Sequence, residues 1–336
     1  MNAAKGTSIS ILMSTRNRAA SLSRTLDSLF TPRNVSMNDW EVIVADNGSD
    51  DTTSMVCRNF SERYPNHFKS LHESLGGKSC ALNKGLEICQ GELLVLIDDD
   101  VICQADYLDQ IRDNLAENKD CVVQGRVYVD YDSPLERWFD AYFESIMCRI
   151  DLGDERCDLK PPRQLWGLNA VLPMQAIARV GGFCPELGPG ASGFSDDVEL
   201  SRRLRAARYQ LIYDPEIVVR HQISANRLTI PYVLRRSYSM GRSSAYYEQA
   251  PAVSLWRYAA YIAREVLRAV PGLFMNLLAG KSNLAVRTAS THAVSIGFIS
   301  QHFKFQRVGK PNLTAPMISL SRLNSSKVSS VHPSGS

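Results

Sequence analysis

Short apolar runs that each stop at a polar cluster constrain this chain more than any other feature of its sequence. Residues 9–13 (ISILM), 41–45 (EVIVA) and 93–97 (LLVLI) lack strict polar alternation, the pattern of strands buried on both faces. Helical patterns lie between them. Leu22, Leu26 and Leu29 share one helical face. A second helix is expected from about residue 50, a short strand near 68–71 and a third helix over 79–89. Strand–helix alternation of this kind predicts a mostly parallel sheet with helices on both faces. In such sheets ligands bind beyond the carboxyl ends of the strands. The polar clusters stand at those ends: Thr15-Arg16-Asn17-Arg18, Asp46-Asn47-Gly48 and Asp98-Asp99-Asp100.

A chain of 336 residues, 44% apolar and 22% charged, can bury one large domain with an appendage or two modest domains. Its net charge of +3 hides a division. Residues 226–310 carry twelve Lys and Arg against Glu248 and Glu265, a charge of +10, while 1–225 carry −9. An acidic front and a basic back suggest a carboxylate-rich site and a separate surface for an anionic partner. The eight cysteines are scattered without a C-x-x-C pair. That spacing predicts reduced thiols and a cytoplasmic setting, with neither a zinc site nor a redox motif. The opening MNAAKGTS lacks a signal-peptide pattern, and no apolar run reaches the roughly 18 residues of a membrane span.

In LVLIDDDV (94–101) three carboxylates directly follow four apolar residues. Adjacent acids repel one another unless a cation is shared. A hard divalent cation typically bridges one or two carboxylates and substrate phosphates. An acidic turn capping the next helix is the plain alternative. Further along, 166–190 is rich in Gly and Pro and is expected to be a loop-built acceptor site, not a core element. Ser195-Asp196-Asp197-Val198-Glu199 then opens an amphipathic helix. Asp196 and Glu199 have capping-box spacing, which leaves Asp197 spare in the first turn. A strand near 122–129, a helix around 134–148 and strands at 210–213 and 216–220 complete this part, with His221 closing the last.

Four segments, in order and at the usual distances, resemble the nucleotide-binding half of glycosyltransferase family 2: ISILMSTRNR (9–18), EVIVADNGSDDT (41–52), GGKSCALNKGLEICQGE (76–92) and LVLIDDDV. Each alone fits a turn, a helix start or a flexible loop; their joint register carries the resemblance. It implies a Rossmann-like GT-A fold and inverting transfer from a nucleotide sugar (UDP-, GDP- or dTDP-linked) with Mg²⁺ or Mn²⁺. It also implies site roles. Thr15, Arg16 and Arg18 would meet the nucleotide, Thr15 and Arg18 near its base. Asp46 and Asn47 would follow at base or ribose. Gly77 and Lys78 would lie by the phosphates. Asp98 and Asp100 match the outer positions of the DxD motif, with the metal on Asp100 and Asp98 or Asp99 at the ribose. The acidic pair before the later helix corresponds to the family's catalytic base, which places it at Asp197 with Asp196 beside it. The G-x-N order places Trp166, Gly167 and Asn169 on the acceptor or sugar side. Some relatives have a His near the metal or diphosphate where this chain has His221, although a lone His is more often a packed or surface residue. Two departures stand out: Asp196 where Glu is commoner, and Pro173-Met174 where Arg is common.

Beyond 226 the chain becomes helical, Arg-rich and aromatic. Arg257, Arg264 and Arg268 share a helical face, while Leu255, Tyr258, Ala259, Ile262 and Val266 cover much of the rest. This suits a basic amphipathic helix on an anionic membrane; the alternative is a subdomain packed on the core with solvated arginines. No nucleic-acid motif accompanies the charge. The Q-x-x-R-W motif of processive synthases is absent, so addition of one sugar to a lipid-linked or surface glycan is expected. The organisation read from sequence is therefore a catalytic domain over 1–225, divided into a donor half (1–118) and an acceptor half (119–225). A membrane-associating region (226–310) and a disordered Ser-rich tail (311–336) would follow. The protein would sit on the cytoplasmic face of the inner membrane. Two other functions remain open: a nucleotide-sugar-binding partner without transfer, and a sugar nucleotidyltransferase. The latter usually needs a glycine-rich loop, and residues 14–18 contain no Gly.

Overall fold

The computed structural model describes residues 8–74, 76–116, 121–247 and 254–310, with Leu313, Ala315 and Pro316. The expected tail over 311–336 lies outside the described residues, apart from those three. The first half runs β1 (Ile9–Thr15), α1 (Ala19–Leu29), α2 (Pro32–Val35), β2 (Trp40–Asp46), α3 (Thr53–Arg63), β3 (Phe68–His72), α4 (Lys78–Leu86) and β4 (Leu93–Ile97). It continues through β5 (Val101–Cys103), α5 (Tyr107–Ala116), β6 (Cys121–Tyr131), α6 (Ala141–Ile146), β7 (Cys157–Asp158), β8 (Asn169–Pro173), α7 (Met174–Val180), α8 (Asp196–Ala206) and β9 (Gln210–Ile223). Three long helices close the chain: α9 (Ile230–Ser244), α10 (Leu255–Leu278) and α11 (Ser282–Val308).

One sheet holds all nine strands in the order β3-β2-β1-β4-β8-β6-β9-β5, with β7 added on β9. β3, β2, β1 and β4 are mutually parallel, so their carboxyl ends share one edge. Thr15 pairs with Asp46 there, which brings two of the polar clusters level. Both sheet faces are covered. A Cβ added to Gly85 of α4 would fall 2.3 Å from Leu12 Cδ1, so Leu12 faces α4, and Ile43 flanks the same spot. Trp40 points the other way and meets Phe30, at the end of α1, with ring centroids 5.1 Å apart; Phe30 in turn meets Phe60 of α3 at 5.5 Å. By strand alternation Val42 and Val44 share the Trp40 face.

Four expectations need correction. The segment 166–190 is a loop only at its two ends, 166–168 and 181–190. Residues Asn169–Pro173 form β8, entirely buried and antiparallel to both β4 and β6, and α7 follows at once. Most of the segment's Gly and Pro lie in those ends, while Ala170-Val171-Leu172 is an ordinary apolar strand run. The helix expected over 134–148 shrinks to Ala141–Ile146, because Asp140 caps it by accepting from the Tyr142 amide at 3.0 Å. The strands read at 210–213 and 216–220 are one strand. Around Pro215 its register against β6 shifts, with Gly125 opposite Asp214 and Arg126 opposite Val218. The capping box also fails: Ser195 is the N-cap in a left-handed conformation (φ 73°) without a side-chain cap, and Glu199 binds Arg203.

The C-terminal helices pack against one another and against the rest of the fold. α9 crosses α11 with backbones almost touching. A Cβ on Gly241 would lie 1.9 Å from the Val294 carbonyl oxygen, and one on Gly297 would lie 2.0 Å from that of Tyr238. The hydroxyls of Ser237 and Ser290 bond at 2.6 Å in the same crossing. Val286 of α11 and Val233 of α9 join a second core with Trp138, Phe139, Phe143 and Met147. α10 packs on α11 through Tyr258 and Glu265, and its apolar residues divide otherwise than the sequence suggested. Tyr258 and Ile262 turn inward, while the exposed apolar side runs through Trp256, Leu267 and Phe274. Among the described residues no helix is long and apolar enough to cross a membrane.

Candidate active site

A cleft of about 450 Å³ opens beyond the carboxyl ends of β1 and β4. Its wall includes Thr15, Arg16, Arg18, Asn47, Lys78, Asp98, Asp99, Asp100, Trp166, Gly167, Asp196, Asp197 and His221, residues from seven separate stretches of sequence. The folding logic of each is visible. β4 delivers the three aspartates as it leaves the sheet. β5 then turns back to pair antiparallel with β9, with Val101 opposite His221 and the Gln222 amide donating to the Asp100 carbonyl at 2.8 Å. This register sets His221 against the Asp100 side chain, Nε2 to Oδ1, at 3.4 Å.

Asp100 is the most heavily compensated acid of the cluster. Besides His221 it meets Arg227 at 3.0 Å and Arg18. Burial works to raise its pKa, but His221, Arg227 and Arg18 together hold it well below the usual carboxylate range. Asp99, whose nearest cation is Arg18 at 3.2 Å, is pushed up by burial, with Arg18 opposing. Asp98 takes Lys78 Nζ at 2.5 Å. Burial disfavours the charge on Lys78, but Asp98 and Asp196 hold its pKa above the usual value, so Lys78 is the cation between the two acidic groups.

Asp197 stands in the first turn of α8. Its Oδ2 accepts from the Gly167 amide at 3.1 Å and its Oδ1 from the Val198 amide at 2.8 Å. Burial, then the neighbouring Asp196, push its pKa up to about 6. Asp196 is itself raised by burial and lies behind it, against Gly188, where a Cβ would come within 3.0 Å of the Asp196 carboxyl carbon. An acid tuned toward neutrality and facing a cleft suits proton transfer.

Some expected residues lie elsewhere. Asn169 is a correction: it is fully buried beneath the cleft, with Nδ2 donating to the Arg126 and Ile217 carbonyls and Oδ1 accepting from Tyr107. It fixes β8 to its neighbours and has no free group for an acceptor. Gly77 does not line the cleft either. Its φ of 124° and the 2.8 Å that would separate a Gly190 Cβ from its Cα show that it lets loop 76–78 cross loop 188–190. Asp46 is buried at the root of the first loop, where Oδ1 accepts from the Ser49 amide. Gly167 lines the cleft but acts on Asp197 through its amide.

Two residues escaped sequence reasoning. Arg227 was grouped with the basic tail, yet it binds Asp100. Arg236 of α9 enters the cleft, donates to Cys148 Sγ at 3.1 Å and lies 4.5 Å over the Phe194 ring. Its buried Nε has no protein partner among the described residues. The available signal was local: Arg227 follows His221 by six residues across a short 3₁₀ turn.

Among the described residues, no group of three or more His, Cys, Asp or Glu converges as a ready-made metal cage. Two donors do suit a hard or borderline divalent ion. Asp100 offers a carboxylate. His221 Nδ1 sits 2.9 Å from the Met147 carbonyl, which orients the ring with Nε2 toward Asp100, and a bound metal would take that nitrogen in place of its proton. A metal completed by diphosphate oxygens and water needs no more from the protein.

The site joins an acidic cluster at a strand end to a second carboxylate distant in sequence, and comparisons place the chain in a family of transferases. Residues 10–165 match the profile of Glycosyl transferase family 2, and residues 93–315 match that of Glycosyl transferase family group 2. The chain belongs to glycosyltransferase family 2. It is similar to a validoxylamine A glucosyltransferase of Streptomyces hygroscopicus (30% identity, 59% of this chain, 51% of the relative). It is also similar to a beta-monoglucosyldiacylglycerol synthase of Trichormus variabilis (26%, 60% and 42%). The chain spans about half the length, or less, of the curated relatives it matches. A mannosyltransferase of Pyrobaculum calidifontis, solved with GDP-Man and Mn²⁺, shares the fold. Its TM-score is 0.59 at 18% identity, over 88% of this chain and 87% of that one. The fold is GT-A.

Proposed function

We propose that this protein transfers one sugar, with inversion, from a nucleotide-sugar donor to a hydroxyl of a lipid-linked or surface glycan. The single observation that carries the reading is the shared cleft: the Asp98–Asp100 cluster and Asp197 line one cavity, with Lys78 between them. Asp100 and His221 would hold a divalent metal, Mg²⁺ or Mn²⁺. When bound, that ion neutralises charge on the diphosphate leaving group. The fold relative's complex with GDP-Man and Mn²⁺ supports the same choice.

The protein's own groups supply the rest. Thr15, Arg16, Arg18 and Asn47 receive the nucleotide, with Asp46 bracing their loop, and Asp98 or Asp99 meets the ribose. Arg227 and the unpartnered Nε of Arg236 offer charge to the diphosphate. Asp197, oriented by the Gly167 and Val198 amides, takes the proton from the acceptor hydroxyl as that oxygen attacks the anomeric carbon. Trp166 stacks a sugar face near it. In this reading 1–118 holds the donor and 119–225 the acceptor. Residues 226–310 serve a membrane surface on its cytoplasmic face, while α9 lends Arg236 and Met240 to the cleft. One relative is named a beta-monoglucosyldiacylglycerol synthase, which supports a lipid-borne acceptor here.

The test is a thermal-shift panel of UDP-, GDP- and dTDP-sugars with and without Mn²⁺. The reading expects one donor to raise Tm in a Mn²⁺-dependent way that Asp100→Asn abolishes. A panel in which no donor shifts Tm, with or without metal, would overturn it.

A further inference from the structure

Outside the cleft, the outer face of α10 is the least satisfied part of the described surface. Trp256, Leu267, Val270, Phe274 and Leu278 are 71%, 70%, 54%, 59% and 69% exposed. At about 100° per residue these five fall within a stripe roughly 80° wide along a helix of 24 residues. The stripe is not the packing face. That role belongs to the opposite side, where Tyr258 stacks on Phe303 at 4.4 Å and Glu265 meets His292 at 2.8 Å. α10 therefore has two apolar faces, one used by α11 and one open. Contiguous exposed apolar surface of this extent marks an interaction site.

Charge decides what fits it. Arg257, Arg264 and Arg268 run along one edge of the open stripe, all exposed. Glu265, the one acid in the α10 sequence, is buried and turned inward to His292, and its one contact with the row is the longer one to Arg268, at 3.8 Å. The open side thus combines a continuous apolar stripe with a row of positive charge and no negative charge of its own. An aqueous apolar partner would not need the arginine row. A surface with an apolar interior and phosphate headgroups needs both. α10 does not qualify to cross a bilayer, so it would lie along one.

We propose that α10 lies flat in the surface of an anionic phospholipid membrane, its apolar stripe in the acyl boundary and its arginine row on the phosphates. This deepens the lipid-borne acceptor reading and rests on it for the purpose of the contact, but the contact is measurable without turnover.

The test is co-sedimentation of the full chain with vesicles of phosphatidylcholine alone and of phosphatidylcholine mixed with phosphatidylglycerol. Two variants are compared: Leu267→Asp with Phe274→Asp, and Arg257→Gln with Arg264→Gln and Arg268→Gln. All five side chains are exposed, so both variants should keep wild-type circular dichroism and Tm. The wild type should bind the mixed vesicles far better than the neutral ones. The arginine variant should lose on the order of a hundredfold, about fivefold per residue, and most of its salt dependence. The aspartate variant should lose binding to both. No vesicle binding by the wild type would overturn the proposal, as would binding that survives Leu267→Asp with Phe274→Asp. A dimer split by that variant would assign the face to a second copy. Binding that appears only after deletion of 317–336 would assign it to the chain's own terminus. Donor-induced Tm shifts are read in parallel. Vesicle binding without any donor shift sinks the transferase reading alone, and the reverse sinks the docking alone.

Discussion

Asp197→Asn should change how stability depends on pH, and the size of the change follows from the site. The Asp197 carboxyl is raised from an ordinary value of 3.8 to about 6 by burial and by Asp196. Below 3.8 it is protonated in folded and unfolded chains alike, and its contribution is fully present. Between 3.8 and about 6 the unfolded chain ionises first, so stability is lost as pH rises, and above that range the loss is constant. At about 1.4 kcal/mol per unit the ceiling is about 3 kcal/mol. The asparagine cannot ionise and escapes this loss. It also has one acceptor where the carboxylate has two, so either the Gly167 or the Val198 amide loses its partner, at about 1–3 kcal/mol independent of pH. The absolute difference between the proteins can therefore take either sign, whereas its pH dependence cannot. Urea denaturation of both proteins from about pH 4 to about pH 7 should show the gap moving toward the variant by as much as about 3 kcal/mol. Relief of Asp196 in the variant adds in the same direction. A gap constant across that range would refute the argument that burial raises this carboxyl. The same group should set the rate profile, with kcat/KM falling tenfold per unit below about pH 6.

Asn169→Ala should cost about 3 kcal/mol, seen as a lower Tm, since it removes three buried hydrogen bonds, while donor affinity of the folded protein stays near wild type. A folded variant with wild-type Tm and lost donor binding would restore Asn169 to the substrate. Gly241→Ala forces a Cβ to 1.9 Å from a carbonyl oxygen and should separate α9 from α11, at about 3 kcal/mol or more in denaturant titration. Arg227→Gln leaves Asp100 with Arg18 and His221 and should weaken donor binding about tenfold or more by calorimetry, with little change in Tm. An unchanged donor Kd would remove Arg227 from the diphosphate.

What could be read in advance divides along a physical line. β1, β2 and β4 were legible because strands buried on both faces leave continuous apolar runs, and the polar residues that follow them mark the sheet edge where ligands collect. β8 was misread because Gly and Pro around it outweighed three apolar residues, Ala170 to Leu172, in the strand itself. Asn169 looked functional because polarity in a sequence does not distinguish a cleft-facing amide from one buried among backbone carbonyls. Arg227 was missed because only the pairing of β5 with β9, about 120 residues apart in the chain, sets His221 and its neighbour beside Asp100. The open face of α10 was placed on the wrong side because a helix apolar on two faces satisfies the 3.6-residue period twice, and only the packing of α11 shows which face is taken.

The measurement that bears most directly on the central claim is single-turnover sugar transfer by Asp197→Asn, run beside calorimetric donor binding with Mn²⁺. The account predicts a donor Kd within about threefold of wild type and transfer slowed on the order of 10²–10⁴-fold, the usual worth of a general base. Transfer at near wild-type rate, with the donor bound normally, would contradict it.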